Sequence, residues 1–226
     1  MKGLLARYLA RARAMRFHYL LASLILLLAV YPYVNAGPSG PAALKVLSSF
    51  VLITGVYAVS NRRRQVVIAG LLAVPAFGFG WLHIITGAPA LGAAESVFTL
   101  LFYAFTALIG LLQVLRERQI TTDTIYGAVS VYLLMGLTWA NAYGLVESIS
   151  PGSFSAGSGE TVFTSPAFIY FSFVTLTTLG YGDITPVTDQ ARSLAVLEMV
   201  SGTLYIAVLI ARLVAAAGWM PKAGRE

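Results

Sequence analysis

The chain has 226 residues, of which 58% are hydrophobic and only 11% are charged. Soluble domains carry about 25% charged residues, so this composition excludes a soluble enzyme and indicates a membrane protein. The absence of cysteine excludes disulfides and thiolate chemistry, and two distant histidines make a histidine metal site a poor interpretation. The net charge of +6 matters through its distribution along the chain, and it does not indicate nucleic-acid binding.

The first 16 residues carry five basic side chains among Leu, Ala and Tyr. Arg7 and Arg11, and again Arg13 and Arg16, have helical spacing. Residues 1–16 are therefore predicted to form a basic amphipathic segment on an anionic inner leaflet. A topology signal without lipid regulation explains the same charges equally well.

Six apolar segments follow, each close to the roughly 20 residues that cross about 30 Å of hydrocarbon. They are Phe17–Asn35, Ala42–Ser60, Val66–Thr86, Ser96–Leu115, Ile125–Leu145 and Leu194–Ala217. Between the last two lies Pro166–Thr177, whose 12 residues are too few to cross and predict a re-entrant helix.

Thirteen of the fifteen basic residues fall on one side of the membrane if the six spans alternate in direction. Only Lys45 and Arg192 fall on the other side. The positive-inside rule then predicts cytoplasmic termini and an outward-facing region 147–192. We expect a multi-pass protein of the plasma membrane, and its small size and short tails suggest a prokaryotic inner membrane.

Ser165 and Pro166 suit the start of the re-entrant helix, which then points its negative dipole end toward the bilayer centre. The sequence Thr-Thr-Leu-Gly-Tyr-Gly-Asp follows directly at 177–183. Two alternating glycines permit positive φ angles, so successive carbonyls can turn the same way. Four such chains around an axis would form carbonyl rings that replace the water shell of a cation.

The stretch Tyr170–Asp183 resembles the pore helix and signature filter of the tetrameric potassium channel family. The resemblance implies a pore domain at 125–217, with pore helix 166–177, filter loop 178–182 and inner helix 194–217. It also implies a homotetramer, because each chain supplies one filter segment, and no cofactor besides the permeant K⁺. The ion-binding residues it implies are Thr178, Leu179, Gly180, Tyr181 and Gly182, with K⁺ held by the first four.

Leu179 departs from the family, which most often has valine there. The position contributes its carbonyl, so we expect conduction to persist with altered selectivity or filter stability.

Support for the filter loop is expected from Tyr170, Phe171, Thr177 and Asp183. Tyr170 and Phe171 match the aromatic cuff of the family, although plain packing accounts for them equally well. Tyr170 is also placed to donate a hydrogen bond to Asp183.

Glu198 is the one carboxylate well inside the last span, and such groups are functional candidates. We expect it to meet the back of the pore helix at Ser172 or Thr175. A purely structural hydrogen bond is the alternative.

Gly202 lies 20 residues beyond Gly182, where the family places its inner-helix hinge. Steps of four from it predict a pore-lining gate of Ile206, Ile210 and Val214, with lipid or neighbour packing as the alternative.

The four spans within 17–115 resemble the sensor of six-transmembrane, voltage-gated-like channels, and we call them the sensor-like domain. Residues 65–115 contain no Lys or Arg, so the arginines of such a sensor are missing. Because each charge that crosses the membrane gains about 2.3 kcal/mol per 100 mV, we expect weak or absent voltage dependence.

Three polar features remain around this domain. Lys45 and Glu95 either pair or stay separate at the outer interface, and His83 is an interface residue or a proton sensor. The linker 116–124 joins the pore domain, and its Thr122 or Asp123 is expected to cap the next helix. Residues 218–226 are expected to be a short cytoplasmic tail without a fused ligand-binding domain.

We therefore predict an all-α membrane protein of six transmembrane helices plus a re-entrant pore helix and a selectivity-filter loop. The predicted function is passive, potassium-selective conduction without enzymatic chemistry. A less selective cation channel and a non-conducting scaffold or regulatory subunit are the alternatives.

Overall fold

The computed structural model describes residues 15–34, 40–117, 120–157 and 165–218. The basic segment 1–16 lies almost wholly outside the described residues, and the tail beyond 218 lies outside them as well. The described elements are helices α1 Arg16–Val34, α2 Gly40–Ala58, α3 Arg63–Thr86, α4 Pro89–Arg116 and α5 Thr122–Ile149, strand β1 Phe154–Ala156, helix α6 Ser165–Leu176, strand β2 Ile184–Pro186, and helix α7 Asp189–Gly218.

Five of these helices are long and apolar enough to cross a membrane, namely α1, α3, α4, α5 and α7. The apolar part of α2, Ala42–Ala58, is shorter, so the predicted count of six is not confirmed. Helix α6 has 12 residues, which are too few to cross a membrane as a helix.

Several predicted boundaries need correction. Helix α6 begins and ends one residue earlier than predicted, while α4 begins at Pro89 and α7 at Asp189 instead of Ser96 and Leu194. The apolar windows missed these starts because each helix opens with a turn or more of polar, small or proline residues. Such residues lower the local hydropathy without breaking the helix.

The cap of α5 also differs from the prediction. The side chain of Thr121 accepts a hydrogen bond from the backbone N–H of Thr124, and the Thr124 side chain accepts one from the backbone N–H of Thr121, forming a capping box. Asp123 instead accepts a hydrogen bond from the Phe17 backbone N–H and lies 3.1 Å from His18 Nδ1. The linker thereby joins α1 to the pore domain.

The structure is not purely helical, because β1 and β2 form a two-stranded antiparallel ribbon. Phe154 pairs with Pro186, and Ala156 pairs with Ile184. The Gly157 backbone N–H also donates to the Asp183 carbonyl at 2.9 Å. The ribbon fixes the chain that leaves the filter loop to the chain that leaves α5.

Helix α5 is the central element of the fold, and it packs against α1, α4, α6 and α7. Leu134 and Leu137 of α5 are buried in the largest core cluster together with Leu20, Leu24 and Phe102. The Tyr205 hydroxyl of α7 donates to the Ala128 carbonyl of α5 at 2.6 Å. The outer and inner helices of the predicted pore domain are thus bonded to each other.

Within the sensor-like domain, Lys45 of α2 donates a hydrogen bond to Glu95 of α4, so these two residues do pair. The pair lies against Gly80 of α3, and three helices therefore meet at it. The His83 ring is 2.9 Å from the Ala88 carbonyl, where it spans the turn between α3 and α4.

Candidate functional site

The end of α6 runs directly into the filter loop. Two carbonyls of its last turn accept hydrogen bonds from loop N–H groups: Thr178 donates to Thr175 at 2.9 Å, and Leu179 donates to Val174 at 2.9 Å. The Thr177 hydroxyl donates to the Phe173 carbonyl at 2.6 Å. These bonds satisfy carbonyls that a helix end would leave unpaired, and they hold the start of the loop to the helix axis.

The backbone of the filter loop alternates in conformation. Thr178, Gly180 and Gly182 have φ angles of 58°, 60° and 78°, whereas Leu179 and Tyr181 do not have positive φ. Alternation of this kind turns successive peptide groups so that their carbonyls can share one side of the chain. The glycines were expected to take this conformation, and the structure confirms it.

Thr178 is the unexpected member of the alternation. A β-branched residue with positive φ is a genuine outlier, and the left-handed conformation costs roughly 1–2 kcal/mol. Thr178 is the one non-glycine residue with positive φ in the described ranges. Strained backbone of this kind is concentrated at functional sites, where the surrounding structure holds it in place.

The filter loop is exposed in the isolated chain. Every residue from Thr177 to Asp183 is exposed, including the large side chains of Leu179 (55%) and Tyr181 (66%). In contrast, Ser172, Val174, Thr175 and Leu176 of α6 are all buried. One face of α6 is therefore buried in the chain's own core, whereas the loop that follows it is exposed.

Tyr170 and Asp183 are hydrogen-bonded across the loop. The Tyr170 hydroxyl donates to Asp183 Oδ2 at 2.7 Å, as expected. A phenol is protonated at neutral pH, so Tyr170 is the donor in this bond, and the bond raises its pKa further. The bond links α6 to the last residue before β2.

Phe171 occupies a different environment from its neighbour. Its ring is 6% exposed and contacts Tyr143 and Phe154 edge-to-face, with centroid distances of 5.0 Å and 5.5 Å. It therefore packs in a cluster between α5, α6 and β1, which is the packing alternative of the sequence analysis. Tyr143 and Phe154 went unnoticed in the sequence, because nothing local marks rings from three elements as neighbours.

Glu198 is fully buried where α5, α6 and α7 meet. The Tyr143 hydroxyl donates to its Oε2 atom, and Ser172 Oγ lies 2.5 Å from its Oε1 atom. Ser172 Oγ also lies 2.7 Å from the Gly136 carbonyl of α5. Of the two partners expected for Glu198, the structure assigns Ser172, and it adds Tyr143, which the sequence analysis did not name.

Gly202 is the next point of contact between α7 and α6. A Cβ placed there would lie 2.6 Å from the Leu176 carbonyl oxygen, a distance that Cβ atoms essentially never show. Helix α7 continues unbroken through this position from Asp189 to Gly218. The structure therefore gives Gly202 a packing role, because a glycine at this position lets α7 approach the end of α6.

The predicted gate residues lie beyond this contact. Ile206, Ile210 and Val214 are 42%, 55% and 67% exposed in the single chain. Arg212 donates a hydrogen bond to the Glu117 carbonyl, which ties the end of α7 to the linker. The stripe is thus free of contacts that would bury it within its own chain.

We predict that Gly202→Ala destabilises the protein while Gly78→Ala does not. At Gly78, also inside a helix, a new Cβ meets no atom within 4 Å, so the substitution gains up to about 1 kcal/mol of helix propensity. At Gly202 the clash with a backbone carbonyl costs about 1–3 kcal/mol, as in overpacked cores. Thermal unfolding of both variants in detergent is the measurement, and equal melting temperatures would contradict the packing role.

Residues 130–217 match the protein family described as "Ion channel". The chain is also similar to the "Two pore potassium channel c" of Oryza sativa subsp. japonica, with 36% identity over 83 residues. That alignment covers 37% of this chain and 16% of the relative, so the chain spans a small part of the relative's length. No solved structure matches the chain.

The matched region contains α6, the filter loop and α7, together with most of α5. The chain is therefore a multi-pass membrane protein whose residues 130–217 are similar to an ion channel family.

Proposed function

We propose that the protein is a homotetrameric, potassium-selective channel that conducts K⁺ passively through a central pore. The observation that carries the proposal is the alternating backbone at Thr178, Gly180 and Gly182, directly after a short re-entrant helix. The carbonyls of Thr178, Leu179, Gly180 and Tyr181, with the Thr178 hydroxyl, coordinate the ion. K⁺ is the permeant ion, and no cofactor is required.

The uncovered filter loop supports a tetramer. One chain supplies one row of carbonyls, whereas removing the hydration shell of a cation requires ligands on all sides. Exposed non-helical backbone is tolerated at membrane depth only where it is buried in protein or lines a water-filled cavity. Four copies around an axis fulfil this condition for residues 177–183, and they cover Leu179 and Tyr181.

The orientation follows from the basic residues. Cytoplasmic termini and an outward filter loop place 13 of 15 Lys and Arg side chains at the cytoplasmic face. The plasma membrane, here a prokaryotic inner membrane, is the proposed location. The N-terminal basic residues add attraction to anionic inner-leaflet lipids.

Weak or absent voltage dependence is part of the proposal. Apart from Arg62–Arg64 at its cytoplasmic end, the acidic and basic residues of the sensor-like domain are Lys45 and Glu95, and because these two pair they have no net charge to move. A domain without mobile charge gains no work from the membrane potential. The four helices then serve as a scaffold around the pore domain.

Purified full-length protein in planar bilayers tests these statements, with K⁺ on one side and Na⁺ on the other. We expect a reversal potential set by K⁺ and a gating charge below about one elementary charge per tetramer. A reversal potential near zero at equal concentrations would favour the less selective channel that Leu179 suggests. The absence of any flux would favour a scaffold or regulatory subunit, and several gating charges would overturn the voltage statement.

A further inference from the structure

A cavity of about 680 Å³ lies between the sensor-like domain and the pore domain. Helices α1 to α4 form one wall, and α5 together with the start of α6 forms the other. Ser165 and Pro166 line it at the start of α6, and Glu147 lines it near the end of α5. The volume is within the range of about 300–1,000 Å³ that is typical of small-molecule sites.

The Lys45 and Glu95 ion pair forms the charged part of this cavity. Their side chains are only 16% and 20% exposed. The pair fits because residue 80 is glycine: a Cβ there would lie 2.8 Å from Lys45 Nζ and 2.9 Å from Glu95 Cδ. An ammonium has three donors and a carboxylate about four acceptor positions, so their mutual bond leaves hydrogen-bonding capacity on both.

The remaining lining is partly polar and partly apolar. Ser49 and Ser96 donate to the carbonyls of Lys45 and Gly92, so their oxygens retain lone pairs that can accept from an occupant. Apolar side chains from four helices complete the walls, among them Leu27, Leu52, Phe77 and Phe168. A site of this kind suits a molecule with a polar head and an apolar part.

The charges of the pair restrict the head further. A ligand of net charge would bring an uncompensated charge into a partly buried site, which is costly, because the pair itself is neutral. A zwitterion adds an anion beside the ammonium and a cation beside the carboxylate. Its cation also has to carry N–H groups in order to donate to Glu95.

We propose that this cavity binds a zwitterionic amphiphile whose head joins a phosphate to a primary ammonium. The phosphate accepts from Lys45, the ammonium donates to Glu95, and the apolar part lies against α1 and α6. Either the headgroup of phosphatidylethanolamine or free glycerophosphoethanolamine has this chemistry, because the phosphate of each is a diester with a single negative charge that the ammonium balances. The inference goes beyond the proposed channel function, and binding to the cavity requires no conduction.

The position of the cavity gives such a ligand access to both domains. The Tyr31 hydroxyl of α1 donates to the Pro166 carbonyl at the start of α6, at 2.8 Å, and both residues line the cavity. An occupant therefore contacts the sensor-like domain and the outer end of the pore helix together. Binding of such a ligand in the sensor-like domain, which lacks gating charges, would therefore affect the pore domain through this shared contact.

Calorimetric titration of the full-length protein in detergent tests the proposal. The probes are glycerophosphoethanolamine, dihexanoyl-phosphatidylethanolamine, dihexanoyl-phosphatidylcholine, inorganic phosphate and ethylamine. We expect one or both ethanolamine compounds to bind, and the choline lipid, phosphate and ethylamine to bind at least about tenfold more weakly, as expected when a charge-assisted hydrogen bond is lost. Binding of the lipid alone identifies a membrane source, and binding of glycerophosphoethanolamine as well identifies the headgroup as sufficient.

Matched variants locate the site. The double variant Lys45→Met/Glu95→Gln should weaken ethanolamine binding at least about tenfold. The double variant Asp189→Asn/Arg192→Gln neutralises an exposed pair outside the cavity and should leave binding unchanged. Ser48→Phe places a large side chain in the cavity and keeps both charges, so it should abolish binding. This variant tests the site independently if the Lys45/Glu95 double variant does not fold.

The proposal is overturned if no ethanolamine compound binds, or if phosphate alone binds as tightly. It is also overturned if the cavity variants bind like the wild type. Because titration needs no ion flux, a failure here is separate from a failure of the channel assay.

Discussion

Gly180→Ala should abolish K⁺ flux, while Gly152→Ala should leave it nearly intact. Both glycines have positive φ, 60° and 84°, and at both a new Cβ meets no atom within 4 Å of the chain. The strain of placing alanine there, roughly 1–2 kcal/mol, is therefore similar at the two positions. The difference is that Gly180 lies inside the filter loop and Gly152 lies in the turn before β1.

The expected effect on flux follows from the alternation. If the substituted alanine relaxes toward negative φ, its peptide group rotates and the carbonyl ring at this position is lost in all four chains. A loss of about 3 kcal/mol in ion stabilisation corresponds to flux reduced by at least about 100-fold. The measurement is K⁺ efflux from K⁺-loaded liposomes that contain each variant. Equal efflux in the two variants would exclude the filter role of the loop.

Glu198→Leu should destabilise the protein and reduce conduction, whereas Glu198→Gln should retain most of the stability and most of the conduction of the wild type. Leucine leaves the Tyr143 hydroxyl without its acceptor in a buried site, and Ser172 loses one of its two partners. A buried polar group without a partner costs about 1–3 kcal/mol. Glutamine has the same shape, and its amide accepts from Tyr143 and donates to Ser172, which can still donate to the Gly136 carbonyl.

Tyrosine variants separate this role from general stability. Tyr143→Phe removes the hydroxyl that bonds Glu198, and Tyr205→Phe removes a buried hydroxyl that bonds Ala128 away from the pore helix. We expect both to lower the melting temperature, but only Tyr143→Phe and Glu198→Leu to change channel open probability. Equal open probability in Glu198→Leu and the wild type would leave Glu198 with a structural role alone, which is the alternative noted from the sequence.

The re-entrant helix shows how far local sequence carries the prediction. Its boundaries were predicted to within one residue, because a hydroxyl and a proline mark its start and glycines follow its end. The positive φ angles at Gly180 and Gly182 were likewise accessible, since glycine tolerates them where other residues do not. Thr178 was not, because its strained conformation follows from the hydrogen bonds between the loop and α6.

The helix starts show where the same reasoning fails. Asp189, Arg192 and the residues between them are helical although they are mostly polar, so a search for apolar windows begins α7 five residues late. The ribbon of β1 and β2 went unrecognised because three-residue strands have no usable periodicity. The cap at Thr121 shows that one hydroxyl among several neighbours is selected by geometry.

The sequence by itself determined the membrane class, the approximate positions of the helices, the Gly-Tyr-Gly motif at 180–182 and the absence of Lys and Arg from residues 65–115. These are properties of composition, hydropathy and short spacing, so neighbours along the chain suffice to reveal them. Only the tertiary structure decided that Lys45 meets Glu95, that Tyr143 and Ser172 meet Glu198, and that Gly202 meets the end of α6. Each of these contacts joins residues 26 to 55 positions apart on different helices, and the crossing of those helices brings them together.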